Sequence, residues 1–363
     1  MAKRPSGTSA EARVLPGVAA GCAVRSPEMT ATVRLIADTI LPVFVLAGIG
    51  FAFARLVLDR LARANCAQLR GLSSVGLGEH EDSIAVVSGG IRKALHVLTF
   101  SFAGPAFVFT ALRESDVAMS SLGEPALVAV VMYAVLVVIA FAVAAVGRWD
   151  SRERRAAVLA LASKNCANYG LPVILFAFGD DGVVIGTVFV ITHILVHMTV
   201  GLSIASWSGE HGLLQRLMNA LLRFPYVYAI GLALLLRALS VPVPAAIVRP
   251  LALLGETWIP LMLILLGVEL SGVKIAHVWR PATILAGVKV IVPPLLAFGL
   301  TALLGITGLM RAVLIVQCST PTAVNGLLVA RQFDTRPDLV ASTLLLSTLG
   351  SIVTISVILG FVA

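Results

Sequence analysis

The sequence predicts an all-α integral membrane protein of ten transmembrane helices, built as two inverted five-helix repeats in which helices four and nine are broken. Three observations carry that prediction. Apolar stretches long enough to cross a bilayer recur along almost the whole chain. Lys and Arg alternate between the connecting segments, and two helix-breaking segments lie deep inside apolar runs at matching places in the two halves. Composition agrees: 58% of the 363 residues are hydrophobic and 13% are charged, whereas ordinary soluble domains carry about 25% charged residues.

The ten spans are centred near Val45, Gly104, Ala134, Tyr169, Ile194, Leu232, Leu263, Lys289, Thr322 and Ser351. The first contains Pro42 and Gly48, and the second surrounds Pro105. The fourth is interrupted beside Lys164, the fifth carries His193 and His197, and the seventh surrounds Pro260. The eighth carries Lys289 one turn before Pro293-Pro294, the ninth is interrupted at Pro321, and the tenth surrounds Ser351. The chain thus divides into a tail over 1–35, a first repeat over 36–206 with a cytoplasmic insertion near 59–93, a cytoplasmic linker over 207–223, and a second repeat over 224–363.

The formal charge of +8 does not point to nucleic acid, because the basic residues follow the loops. Segments after the odd-numbered spans hold Arg55, Arg60, Arg63, Arg70, Arg92, Lys93, Arg148, Arg152, Arg154, Arg155, Arg216, Arg223, Lys274, Arg280, Arg331 and Arg336. Those after the even-numbered spans hold Arg113, Arg237, Arg249 and Arg311. This asymmetry puts the odd loops in the cytoplasm and both termini outside a multi-pass protein of the cytoplasmic membrane. The tail opposes it with Lys3, Arg4, Arg13, Arg25 and Arg34, and a true start at Met29 would leave only Arg34. An apolar run over 14–24 suits a cleaved leader poorly, since it contains Pro16 and follows Glu11. Cys22, Cys66, Cys166 and Cys318 have neither metal-type spacing nor a disulfide pattern, and no cofactor is expected.

The chain also aligns with itself. Pro105 meets Pro260 at an offset of 155; at 156, Arg155, Ser163, Ala167, Gly170 and Leu171 meet Arg311, Ser319, Ala323, Gly326 and Leu327. Pro42 and Gly48 meet Pro225 and Gly231 at 183, and an insertion in the first cytoplasmic loop restores register. Five spans per repeat is an odd number, so the second repeat is upside down relative to the first. Such inverted repeats place a substrate site at the midplane, between discontinuous helices.

Those discontinuities are residues 164–172 and 319–326, the first ending on Pro172 and the second containing Pro321. Proline cannot donate to a helix ladder, and irregular backbone at membrane depth is tolerated only where it is enclosed in protein or lines a cavity. Each break should present amides and a positive dipole end from its downstream half, carbonyls and a negative end from its upstream half. With Pro172 and Pro321 in the first turns of the downstream halves, amides near Gly170, Leu171, Val173, Thr322 and Ala323 should face a bound anion. Gly170 and Gly326 should let that anion approach the backbone. Asn165, Asn168, Tyr169, Ser319, Thr320, Thr322 and Asn325 complete the candidate substrate site, their alternative role being to cap the half-helices.

Lys164 also belongs to the candidate substrate site, and Lys289, His193, His197 and Gln317 are candidates for coupling or support. Lys164 and Lys289 lie inside apolar spans, where a lysine pairs with something or marks a pathway. Lys164 either draws in the anion or snorkels to the cytoplasmic surface; Lys289 either functions directly or pairs with a carbonyl, Glu269 or Glu256. His193 and His197 lie four apart, but position 194 is Ile, so the zinc motif H-E-x-x-H is absent. A proton relay or a hydrogen bond to a facing helix remains for them, and Gln317 is equally ambiguous. Asp180 and Asp181 fit a loop or the start of the fifth helix.

At these residues the chain resembles the auxin efflux carrier family of membrane transporters, over most of the sequence from Leu41 onward. Residues 40–44 with Gly48 and Gly50 are similar to that family's first span, and residues 165–172 to the break in its fourth. Residues 260–270, including Gly267, resemble its seventh span; residues 318–325 and Ala341-Ser342-Thr343 resemble its ninth and tenth. The resemblance implies ten spans with broken helices four and nine crossing, and efflux or uptake of small organic anions such as carboxylates. The long first loop departs from the family pattern, and the short fifth-to-sixth connection lacks the large loop of plant members. A bacterial-type dicarboxylate carrier therefore fits better than an auxin carrier.

Three classes follow from these residues: a secondary carrier of a small organic anion, a sodium-coupled carrier resembling bile-acid symporters, and a membrane-embedded hydrolase using the histidines. The hydrolase lacks an evident nucleophile on a facing span, so an enzyme is not expected. No Walker-type phosphate loop is present, and direct ATP drive is unsupported. The expected partners are the bilayer, the organic anion, a coupling proton or sodium ion, and a second copy of the chain in a homodimer.

Overall fold

A computed structural model describes residues 27–58, 60, 80–114, 119–206, 225–271 and 278–362. The linker over 207–223, residues 1–26 of the tail, and residues 61–79 of the insertion lie outside the described residues. Among the described residues the chain is all helical, with a single isolated β-bridge. In order the helices are α1 (Pro27–Phe53), α2 (His80–Val97), α3 (Gly104–Glu114), α4 (Gly123–Val146), α5 (Ser151–Ala162), α6 (Leu171–Val196), α7 (Leu202–Ser206) and α8 (Pro225–Ala238). They continue as α9 (Ala245–Glu256), α10 (Trp258–Ser271), α11 (Trp279–Leu303), α12 (Gly308–Cys318), α13 (Val324–Gln332) and α14 (Pro337–Val362).

Seven stretches among the described residues are long and apolar enough to cross a membrane. Their outer faces are bare hydrocarbon: Leu41 is 61% exposed, Val138 67%, Leu295 66% and Val353 68%. Large apolar faces of that kind suit lipid rather than water. One stretch, Cys166–Ser206, has 41 residues, which as a straight helix would measure about 60 Å, twice the hydrocarbon thickness. It is not straight. Gly179 adopts φ 68°, ψ −163° inside α6, a conformation that glycine alone adopts readily. Asp180 and Asp181 follow this break directly, at the start of the next helical run.

Two elements differ from expectation. α2 begins at His80, inside the segment expected to be a loop, and passes through Gly89 and Gly90 without a break. Glycine weakens a helix by about 1 kcal/mol relative to Ala, but a chain entering the apolar layer must satisfy its backbone groups internally. α1 begins at Pro27, upstream of the expected boundary at residue 36.

α1 packs along α10 at very short range. A Cβ on Gly267 would strike the Ala47 carbonyl and the Phe51 nitrogen, and one on Gly50 would strike the Ile264 backbone. α5 starts with a capping box: the Glu153 N–H donates to Asp150 Oδ1 (2.8 Å) and the Asp150 N–H to Glu153 Oε2 (3.2 Å). At that end Arg152 pairs with Asp334, and Arg336 pairs with both Glu153 and Asp338 at 3.0 Å. Arg155 Nη1 donates to the Ala205 carbonyl at the end of α7 (3.1 Å). Segments 148–155, 331–338 and the end of α7 therefore share one face of the molecule.

Candidate functional site

Both predicted breaks are present, and they meet. Lys164 and Thr322 form the antiparallel bridge. The Asn165 N–H donates to the Pro321 carbonyl (2.8 Å), and the Ala323 N–H to the Ser163 carbonyl (3.3 Å). Two extended segments, each too short to satisfy itself, thus satisfy one another in the buried centre. The last residues of α5, from Ala156 to Ala162, are 0% exposed, as are Leu314, Val316 and Cys318 near the end of α12.

At the upstream ends of the breaks the orphan carbonyls are almost fully accounted for. Lys289, 0% exposed, donates from Nζ to the Leu161 carbonyl (2.6 Å) and the Ser163 carbonyl (2.9 Å). Thr322 Oγ1 donates to the Ala160 carbonyl (2.8 Å). At the end of α12, Lys164 Nζ donates to the Cys318 carbonyl. Ser319 Oγ donates to Ile315 (2.6 Å) and Thr320 Oγ1 to Gln317 (2.9 Å). Each negative dipole end therefore receives one lysine amino group, the placement that stabilises a helix C-terminus. Lys164 is 3% exposed and turns inward, so it does not snorkel to the surface. Lys289 pairs with carbonyls rather than with Glu269 or Glu256.

The downstream ends differ from expectation. Residues Cys166–Gly170 form a π-helical turn ahead of α6, with Asn165 at the N-cap position and no side-chain cap. The Gly170 N–H donates to the Asn165 carbonyl (3.0 Å) and the Leu171 N–H to Ala167 and Cys166. These amides cannot face an anion; the first-turn amides that can are those of Cys166, Ala167 and Asn168. Pro172 sits at the start of α6, but one π turn into the helical run.

In the second break, Thr322 N–H donates to Ser347 Oγ (3.2 Å) and Ala323 N–H is held by Ser163, which leaves the first-turn amides of Val324 and Asn325. Pro321 lies in the extended bridge, outside the first turn of α13. Gly170 and Gly326 face protein, not open space. A Cβ on Gly170 would meet Gln317 and Thr320, and one on Gly326 would meet the Leu159 carbonyl at 2.8 Å and Ser163 at 3.0 Å. They let the two broken helices pack together.

Neighbouring side chains hold the crossing. Asn168 Nδ2 donates to Glu269 Oε2 of α10 at 3.4 Å, leaving Asn168 Oδ1 buried without a partner. Glu269 is the site residue that sequence reasoning considered only as a partner for Lys289. A carboxylate inside a span was its available signal. Tyr169 packs edge-on against Phe44, ring centroids 6.0 Å apart. Gln317 Nε2 donates to the Gly186 carbonyl (3.2 Å), tying α12 to α6. His193 Nε2 accepts from the Lys164 N–H (3.1 Å), and His197 Nδ1 lies 3.1 Å from the Tyr133 hydroxyl. The two imidazoles are parallel, 6.4 Å apart. Both are hydrogen-bonded to facing elements, and no cluster among the described residues is arranged to hold a metal ion.

Comparisons with known proteins find similarity to membrane transporters. A family model described as "Membrane transport protein" matches residues 86–359. An uncharacterized transporter of Methanothermobacter thermautotrophicus is 28% identical over 286 residues, covering 75% of this chain and 93% of the relative. An uncharacterized transporter of Methanocaldococcus jannaschii is 27% identical over 198 residues, covering 53% of this chain and 63% of the relative.

Proposed function

The chain belongs to the membrane transport protein family of the auxin efflux carriers, and on that premise we propose that it is a secondary carrier moving a small organic anion, such as a dicarboxylate, by alternating access. The observation that carries this reading is the charge arrangement at the paired breaks. The negative ends of α5 and α12 are covered by Lys289 and Lys164, while the positive ends before α6 and at α13 keep first-turn amides. Two helix N-termini that keep first-turn amides and two amino groups at one centre favour a carboxylate. Asn168, Asn325 and the amides of Cys166, Ala167 and Val324 are the groups that would bind it.

The same reading gives ten crossings in two inverted repeats. The seven long stretches become ten when Gly179 divides Cys166–Ser206 in two and when α8 and the broken pair α12–α13 each cross. The orientation then puts the shared face of segments 148–155 and 331–338 in the cytoplasm and both termini outside.

The test is a thermal-shift screen of the full-length protein against mono- and dicarboxylates, followed by counterflow in proteoliposomes loaded with the best of them. A ligand that binds only the folded state at a hundredfold its Kd adds about 2.7 kcal/mol to apparent stability. The expected result is a carboxylate that raises Tm and exchanges across the liposome membrane. Stabilisation by organic cations, with no carboxylate exchanged, would overturn the reading.

A further inference from the structure

A carrier of this architecture that uses sodium coordinates it with unwound backbone carbonyls and half-helix C-terminal ends, and here six carbonyls at those ends are already engaged. Among the described residues, the carbonyls of Ala160, Leu161, Ser163, Ile315, Gln317 and Cys318 each accept a hydrogen bond from a hydroxyl or an amino group. Two of the donors are lysines, one at each half-helix C-terminus, on different elements: Lys164 in the first break serves α12, and Lys289 in α11 serves α5. Both are buried.

A lysine Nζ and a sodium ion answer the same electrostatic need, a unit positive charge against converging carbonyl dipoles. The lysine differs in being covalently held. It cannot be taken from one side of the membrane and released on the other, so it does not couple transport to a sodium gradient.

We propose that the Lys164 and Lys289 amino groups are tethered cations standing where a mobile sodium ion would otherwise sit, and that this carrier therefore operates without sodium. The inference rests on the carrier reading above and adds to it the identity of what neutralises the crossing. It also assigns Lys289, which lies on neither broken helix, as a positioning residue that fixes the end of α5 against α11.

The experiment uses the full-length protein in detergent, with Tm measured at equal ionic strength in sodium, choline and methylammonium chloride. The wild-type protein should melt within about 1 °C in all three, whereas a vacant sodium site filled to a hundredfold its Kd would add several degrees. Lys289→Ala and Lys164→Ala should melt lower in choline and recover at least half of the loss in methylammonium, a cation small enough to enter the vacated space. A sodium-specific rise in wild-type Tm overturns the proposal, as does a Lys289→Ala protein that loses stability and regains none of it with any cation. If both variants fail to fold, the wild-type comparison still decides. The carrier reading fails separately: counterflow of a carboxylate that requires sodium sinks the tethered-cation proposal alone. Sodium-blind stability with no carboxylate exchanged sinks the carrier reading alone.

Discussion

Asn168 sits between two carboxylates, one present and one expected. Its Nδ2 donates to Glu269, and its Oδ1 has no partner. Glu269 thus occupies the donor that a bound carboxylate would use, and a negative charge there would repel that carboxylate. Removing that charge while keeping the shape should help an anion. Glu269→Gln is expected to lower the half-saturating concentration for a carboxylate substrate. Asn168→Ala should raise it, by about ten- to a hundred-fold for loss of one hydrogen bond to a charged group, 1.5–3 kcal/mol. Counterflow kinetics of both variants at matched expression check this. Movement of the two in the same direction would show that Glu269 does no more than hold Asn168 in place.

At the scale of elements, the breaks at 164–172 and 319–326 were legible in the sequence because proline and glycine act locally. Their meeting as a bridge was implied by the family resemblance rather than by any pattern in the residues. The direction of each Lys Nζ was not legible, since a five-bond side chain can reach several carbonyls and only tertiary packing selects one. The misplaced amides have a local cause. A π turn at Cys166–Gly170 starts the downstream helix ahead of Pro172, and no sequence pattern separates a π turn from an α turn.

The glycines of residues 40–50 and 260–270 were read as family likeness, and the structure gives them a reason. Gly50 and Gly267 allow α1 and α10 to touch backbone to backbone, the use that small residues serve in helix packing within membranes. Gly267→Val would push a side chain into the Ala47 carbonyl and should destabilise the protein by about 1–3 kcal/mol. A lowered Tm in the purified variant checks it. Gly287→Val is the control, because nothing lies within 4 Å of a Cβ placed there.

For the whole molecule, one question is which face meets the cytoplasm. The loop-charge pattern predicts it from sequence alone, and the structure adds that segments after the third and ninth expected spans are tied together: Arg152 to Asp334, Arg336 to Glu153. Two loops joined by ion pairs must lie on the same side, so the basic residues of both count toward one face. Arg155 reaching Ala205 brings the end of the fifth expected span to that face as well. On the other face Arg237 Nη1 donates to the Leu112 carbonyl (3.3 Å), joining the two connections expected outside. These surface pairs are worth little individually in stability, but they fix sidedness as a single unknown for the whole molecule. One probe therefore settles it. Arg152, with a side chain 56% exposed, is replaced by cysteine in a protein whose Cys22 and Cys66 are changed to Ser; Cys166 and Cys318 are buried. Arg152→Cys should stay unlabelled when intact cells are treated with a membrane-impermeant maleimide, and should label fully once the cells are opened. Labelling of intact cells would invert the molecule, placing both termini in the cytoplasm with every internal contact unchanged.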